Sequence, residues 1–125
     1  MEKPEKLDKV NLHQKFGLFS EHWQPKIVGT VNDTLVKLVK FQGDFVWHHH
    51  ENEDELFLVV KGRMRMGLRT GDLELGEGEF FVVPKGVEHK PFAPEECWVV
   101  LFEPATTLNT GNVVNERTVP KLEQL

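Results

Sequence analysis

An all-β fold, an antiparallel sandwich or barrel, is what this 125-residue chain predicts. Short apolar or alternating runs succeed one another from residue 26 to residue 103. Glycine, proline, asparagine or aspartate punctuates them at short intervals, which is how strands and their turns read. No stretch carries a helical period of apolar residues over three turns, and that period is the main helix signal.

Residues 1–9 read as a flexible, solvated tail. Residues 10–23 contain aromatics and two histidines without a clean period, so a short strand with a turn around Gly17 is expected there. Residues 26–31 and 34–42 flank Asn32-Asp33, a two-residue hairpin signal. Gly43-Asp44 opens the next turn. Strands are expected over 45–50 and 55–61, separated by the acidic loop 51–54. After Gly62, residues 63–70 alternate charge with Met and Leu. A turn at 70–72 leads to strands at 73–75 and 79–83, around Gly76 and Gly78. Residues 97–103 (CWVVLFE) form a last strand; 107–112 is loop, and 113–125 reads as a flexible arm.

Composition narrows the class. Apolar residues make up 39%, enough for one core in one domain. The net charge is -5 and the basic residues are dispersed, so the electrostatic footprint of a nucleic-acid binder is missing. No apolar run has the length of a membrane span. The first ten residues, MEKPEKLDKV, are charged and lack the apolar centre of a secretory signal. Cys97 is the single cysteine, so an internal disulfide is excluded. A cytoplasmic protein is expected, with a small molecule rather than nucleic acid or membrane as its partner.

The chemistry concentrates in residues 43–62, GDFVWHHHENEDELFLVVKG. Alternation along a strand puts His48 and His50 on one face and His49 on the other. Two residues of strand rise roughly 6.6 Å, so the two imidazoles can converge on one ion. If Glu55, at the start of the next strand, faces the same way, two His and one carboxylate result. That set suits a first-row divalent metal with open positions. In residues 78–93, GEFFVVPKGVEHKPFA, glycines and a proline turn the chain and His89 lands on the following strand.

These two segments resemble the paired motifs of the cupin superfamily, near G-x5-H-x-H-x3-4-E-x6-G and G-x5-P-x-G-x2-H-x3-N. His48, His50, Glu55, Gly62, Gly78, Pro84, Gly86 and His89 fall on the family positions. Two departures are visible: four residues, not five, separate Gly43 from His48, and the closing Asn is Ala93. The resemblance implies a jelly-roll barrel holding one divalent transition metal (Mn, Fe, Ni or Zn) on His48, His50, Glu55 and His89. It also implies a homodimer. Cupins include oxygenases, isomerases and lyases, and fold alone does not select among them. The chain has no tyrosine, which argues against the family's tyrosine-dependent sugar epimerases and thiol dioxygenases. The expected function is that of a mononuclear-metal enzyme acting on a small oxygenated molecule. The alternative is a non-catalytic small-ligand or metal-binding module; no helix-turn-helix accompanies the barrel to make it a one-chain regulator.

Other candidates read more plainly. His13, His22 and His49 are expected to be surface or packed groups, and Glu51, Glu53 and Asp54 a solvated loop. Arg63, Arg65 and Arg69 are expected on the exterior, and Cys97 in the core. Strand parity places Val46 beside His48 and His50, and Phe57 and Val59 beside Glu55, as pocket walls.

Overall fold

The computed structural model describes residues 7–125. Most of the expected tail, residues 1–6, lies outside the described residues; residues 7–9 are exposed and carry no regular structure. One short helix, α1 (Leu12–Phe16), precedes β1 (Lys26–Val31), β2 (Thr34–Asp44), β3 (Glu55–Lys61), β4 (Met64–Leu68), β5 (Leu73–Leu75), β6 (Phe80–Val83), β7 (His89–Pro104) and β8 (Glu123–Gln124).

The long strand β7 organises the barrel. Its second half pairs with β2 on one side, Leu35↔Glu103 to Phe41↔Cys97, and with β3 on the other, Leu56↔Phe102 to Lys61↔Trp98. Its first half pairs with β4, Arg65↔Phe92 to Leu68↔His89. The sheet order is β5-β4-β7-β2-β1-β8, and β6 joins through β3. All pairings are antiparallel except β1 with β8. The result is an antiparallel jelly roll, as the cupin resemblance implies.

Alternation sorts the interior. On β7, His89, Pro91, Ala93, Cys97, Val99, Leu101 and Glu103 are buried at odd positions, and on β3 Glu55, Phe57 and Val59 are. Val39 and Phe41 of β2 join Phe57, Val59, Met64, Met66, Leu75, Cys97 and Val99 in the main core. A second cluster covers the outer face of β2 and β7, where Phe16 and Phe19 pack on Leu38 and Val100. The Phe16 ring stacks on Trp98 at 4.7 Å.

Four segments differ from the sequence expectation. Residues 12–16 form a helix rather than a strand. The Asn11 side chain caps it by accepting from the Gln14 N–H at 3.0 Å, and five residues are too few to show a period. Residues 45–50 are not a continuous strand; only His48 pairs, with His89. The Phe45 N–H donates to the Pro91 carbonyl while His48 and His89 exchange both backbone bonds. Three residues on one side thus oppose two on the other, so a bulge breaks the ladder. The last strand begins at His89, not at residue 97, because Pro91 and Pro94 are accommodated within it. The arm expected over 113–125 returns to the barrel: β8 pairs with Lys26 and Ile27, and the Leu125 N–H donates to the Ile27 carbonyl at 2.9 Å.

Candidate metal centre

Two backbone devices bring the motif histidines together. The reciprocal bonds His48 N–H to His89 carbonyl, 3.0 Å, and His89 N–H to His48 carbonyl, 2.9 Å, place the two residues side by side. The Gly86 N–H then donates to the His50 carbonyl at 2.7 Å, fixing the turn of the second motif against the end of the first. Glu55 begins β3 with its side chain inward. One potential ligand atom from each of His48, His50, Glu55 and His89 lies within 4.8 Å of the others, and all four residues are buried.

The donor chemistry fits a metal. The Nδ1 atoms of His48 and His89 lie 2.8 and 3.0 Å from the carbonyls of Val46 and Val87. A carbonyl can only accept, so each Nδ1 is the protonated nitrogen and each Nε2 lone pair points inward. His89 Nε2 is buried without a hydrogen-bond partner, as a nitrogen awaiting an ion would be. Glu55 Oε1 lies 3.1 Å from His50 Nε2 and 3.4 Å from His89 Nε2. Burial, then the neighbouring His89 charge, lower the His48 pKa from 6.5 to about 4. The imidazole is therefore neutral at physiological pH, the form a metal requires.

The carboxyl groups are coupled. Burial opposes ionisation of Glu55, but the polar groups of Glu103, His50 and His89 around it outweigh burial and hold Glu55 well below the usual carboxylate range. Burial, and after it the charge of Glu55, raise Glu103 well above that range against the pull of Lys37. The two acids therefore share one proton and one negative charge, which the Lys37 ammonium balances at 2.7 Å from Glu103 Oε1.

The comparisons with known proteins agree with this fold. The cupin domain family model matches residues 35–102. The chain belongs to the cupin family. That span starts on β2, ends on β7 and contains all four clustered residues. A cupin-2 domain containing protein from Shewanella frigidimarina is similar at 46% identity and a TM-score of 0.75, over 76% of this chain and 93% of that one. A Neisseria meningitidis protein matches at 35% identity and a TM-score of 0.72, over 78% of this chain and 100% of that one. An uncharacterized Bacillus subtilis protein is 34% identical over 64 residues, 50% of this cupin and 57% of that relative's length.

A cavity of about 20 Å³ adjoins the cluster, room for about one water molecule. Trp23, Pro25, Phe41, Phe45, Phe57, Pro91 and Leu101 supply most of its apolar wall; Glu103 and Asn109 are polar groups on it besides His48 and Glu55. Of the walls expected from parity, Phe57 is present and Val46 and Val59 are absent. The bulge puts Phe45, not Val46, inward with His48, and Val59 packs in the core beyond the cavity. Trp23 was not anticipated. Its backbone turns through φ 62°, and its indole stacks against Phe41 and Phe45 at 4.3 and 4.8 Å.

Loop 109–112 straps the cluster from outside. The His49 N–H donates to Asn112 Oδ1 at 2.9 Å, and the Asn112 N–H returns to the His49 carbonyl at 3.1 Å. The His49 ring lies off the ligand face against Glu51. His13 rests on Trp98 and His22 on Glu96, both away from the site. Arg63 and Arg65 face Glu74, and Arg69 faces Glu88, on the exterior. Cys97 is buried, and burial followed by the Glu77 charge pushes its thiol up to about 12, the behaviour of an unreactive core cysteine.

Two outcomes follow for the metal-free protein. Gly111 sits at φ 56°, and an added Cβ would collide with the His49 carbonyl oxygen. Gly111→Ala is expected to cost roughly 2–4 kcal/mol in urea unfolding; an unchanged midpoint would show that the strap is not tightly seated. Unfolded His48 binds a proton at 6.5 and folded His48 only near 4, so the unfolded state holds more protons between those values. Stability should therefore fall by about 3 kcal/mol from this group as pH drops from 6.5 to 4. The check is the pH dependence of wild type minus that of His48→Gln in chelator; the subtraction cancels the Glu55–Glu103 pair. Parallel curves would contradict it.

Proposed function

We propose that this cupin is a mononuclear-metal enzyme acting on a small oxygenated molecule, with the ion held by His48, His50, Glu55 and His89. One observation carries the reading: the four converging donors face an apolar, aromatic-walled cavity that bears only a few polar groups. Such a lining is typical of small-molecule sites. Three imidazoles and a carboxylate suit Mn, Fe, Ni or Zn. A divalent ion there would act as a Lewis acid toward a substrate oxygen or lower the pKa of bound water. The chain's own groups exclude bulk water through Trp23, Phe41, Phe45 and Phe57. A small, flat, largely apolar molecule with a chelating oxygen is the matching substrate class. Oxygenase, isomerase and lyase chemistry all use such a site.

The non-catalytic reading has one observation in its favour, the cavity's room for about one water. The deciding experiment pairs metal titration with turnover. Wild type and His49→Ala should bind manganese or zinc alike, while His50→Ala loses at least tenfold in affinity. Metal-loaded protein should then turn over a member of a panel of β-diketones, flavonols, diacids and hydroxy acids. Equal metal loss in both variants would sink the ligand set; tight metal binding with no turnover would favour the binding module.

We also infer a homodimer. The outward residues of β6, β3 and β7 align by register into apolar rows, Val82–Leu56–Phe102 and Phe80–Leu58–Val100. Phe80, Val82 and Phe102 remain 61%, 41% and 37% exposed. A second copy presents the same uncharged rows and can cover them isologously. Light scattering at high micromolar concentration should give twice the 14.4 kDa chain mass, and Phe80→Glu should halve it. A wild-type monomer would end this inference. Among the described residues, no helix is long and apolar enough to cross a membrane. The lone, buried thiol suits the reducing cytoplasm, where we place the protein.

A further inference from the structure

Lys37 and Glu103 are each only 1% exposed inside the barrel. Lys37 lies on β2 in alternation with the inward-facing Val39 and Phe41, and Leu101 of β7 is its direct partner. Its ammonium reaches diagonally to Glu103 Oε1 at 2.7 Å. A buried ion pair of this kind is often replaceable by apolar residues with no loss of stability. Its presence therefore calls for a role besides folding. The register supplies one. Leu56 pairs with Phe102, so the next residues outward, Glu55 and Glu103, lie opposite each other on the inner face. Directly opposed inward side chains are close enough for their carboxyl groups to share a hydrogen bond. Glu103 Oε2 is buried with no hydrogen-bond partner, and Glu55 and Glu103 line the same cavity.

We propose that Lys37 and Glu103 form a supporting pair that sets the orientation of the Glu55 carboxylate toward the ion. The inference rests on the metal reading above. Lys37 anchors Glu103 from the β2 side, and Glu103 holds Glu55 from the β7 side. Glu55 is thereby kept with Oε1 facing the imidazoles of His50 and His89. Residues that hold a ligand in this manner typically govern metal affinity by 10–100-fold.

The test uses the full chain and cobalt(II), whose visible spectrum reports coordination geometry. The pair is removed together in Lys37→Met/Glu103→Leu, which leaves neither partner of the pair behind; the Glu55 charge is then answered by the bound cobalt. This variant should fold, by circular dichroism and thermal melting, yet bind cobalt about 10–100-fold more weakly with a shifted spectrum. Glu103→Gln can donate to Glu55 and accept from Lys37, so it should stay within about threefold of wild type with the wild-type spectrum. Glu103→Asp keeps the acid but withdraws it by one methylene, and should lose roughly 3–10-fold even if the double variant fails to fold. Wild-type affinity and spectrum in the double variant, or in Glu103→Asp, would overturn the proposal. So would a Glu103→Gln variant as weak as the double. If wild type itself binds no cobalt, the metal reading falls first, and the variants are then compared by melting alone. No difference between Glu103→Gln and Glu103→Asp there would remove any role for the hydrogen bond.

Discussion

The reciprocal backbone bonds between His48 and His89 are the joint on which the site depends. They tie the loop carrying the first motif to the start of β7. Once His89 faces inward, alternation along β7 carries that face through Ala93, Cys97, Val99 and Leu101 to Glu103. The same strand fixes β2 and β3 on its two sides, so Lys37 and Glu55 are placed by the register that places the core. A one-residue slip of β7 would turn every one of these side chains outward. The geometry of the clustered side chains and the packing of the barrel are thus one constraint.

That constraint divides the interior into two ends. Met64, Met66, Leu75, Ala93 and Cys97 fill one with apolar volume. The other gathers three imidazoles, two acids and an ammonium within a few residues of apolar walls. Unpaired, such groups would each cost kilocalories to bury. The structure limits the cost by keeping His48 neutral, by sharing one proton between Glu55 and Glu103, and by matching the remaining charge with Lys37. His89 Nε2 stays without a partner. Glu103 Oε2, also without a partner, lies on the Lys37 side of the same polar end.

Strand parity made much of this legible. Glu55, Phe57 and Val59 alternate without interruption, and β3 runs over the residues expected. The motif spacing brought His89 to the same place independently. Parity failed where the ladder breaks: the bulge after Phe45 exchanged Val46 for Phe45 on the cavity wall, and no residue type in 45–50 announces it. The helix at 12–16 was invisible because it depends on one asparagine cap and on docking against Trp98. Lys37 and Glu103 are a different case. Both sit in plain alternation with Val39 and Phe41 or with Val99 and Leu101, so their inward direction could be read. Charged residues are rarely fully buried unless paired, and the pairing partners are far apart in sequence, brought together only by the β2–β7 register.

The strap over the cluster binds access to ligand geometry. Asn112 takes both backbone groups of His49, and Gly111 lies close enough to the His49 carbonyl to exclude a Cβ. His49 lies off the clustered face, yet it is the peptide link between His48 and His50. Asn109, in the same loop, lines the cavity, and its side chain holds residues 117 and 119 at 2.8 and 2.9 Å. Residues 109–119 are therefore one connected unit resting on the backbone between His48 and His50. Any outward movement of that unit that enlarges the cavity must also break or drag the His49 hydrogen bonds. Room for a ligand and the positions of two imidazoles are set by the same contacts, and neither can change without the other.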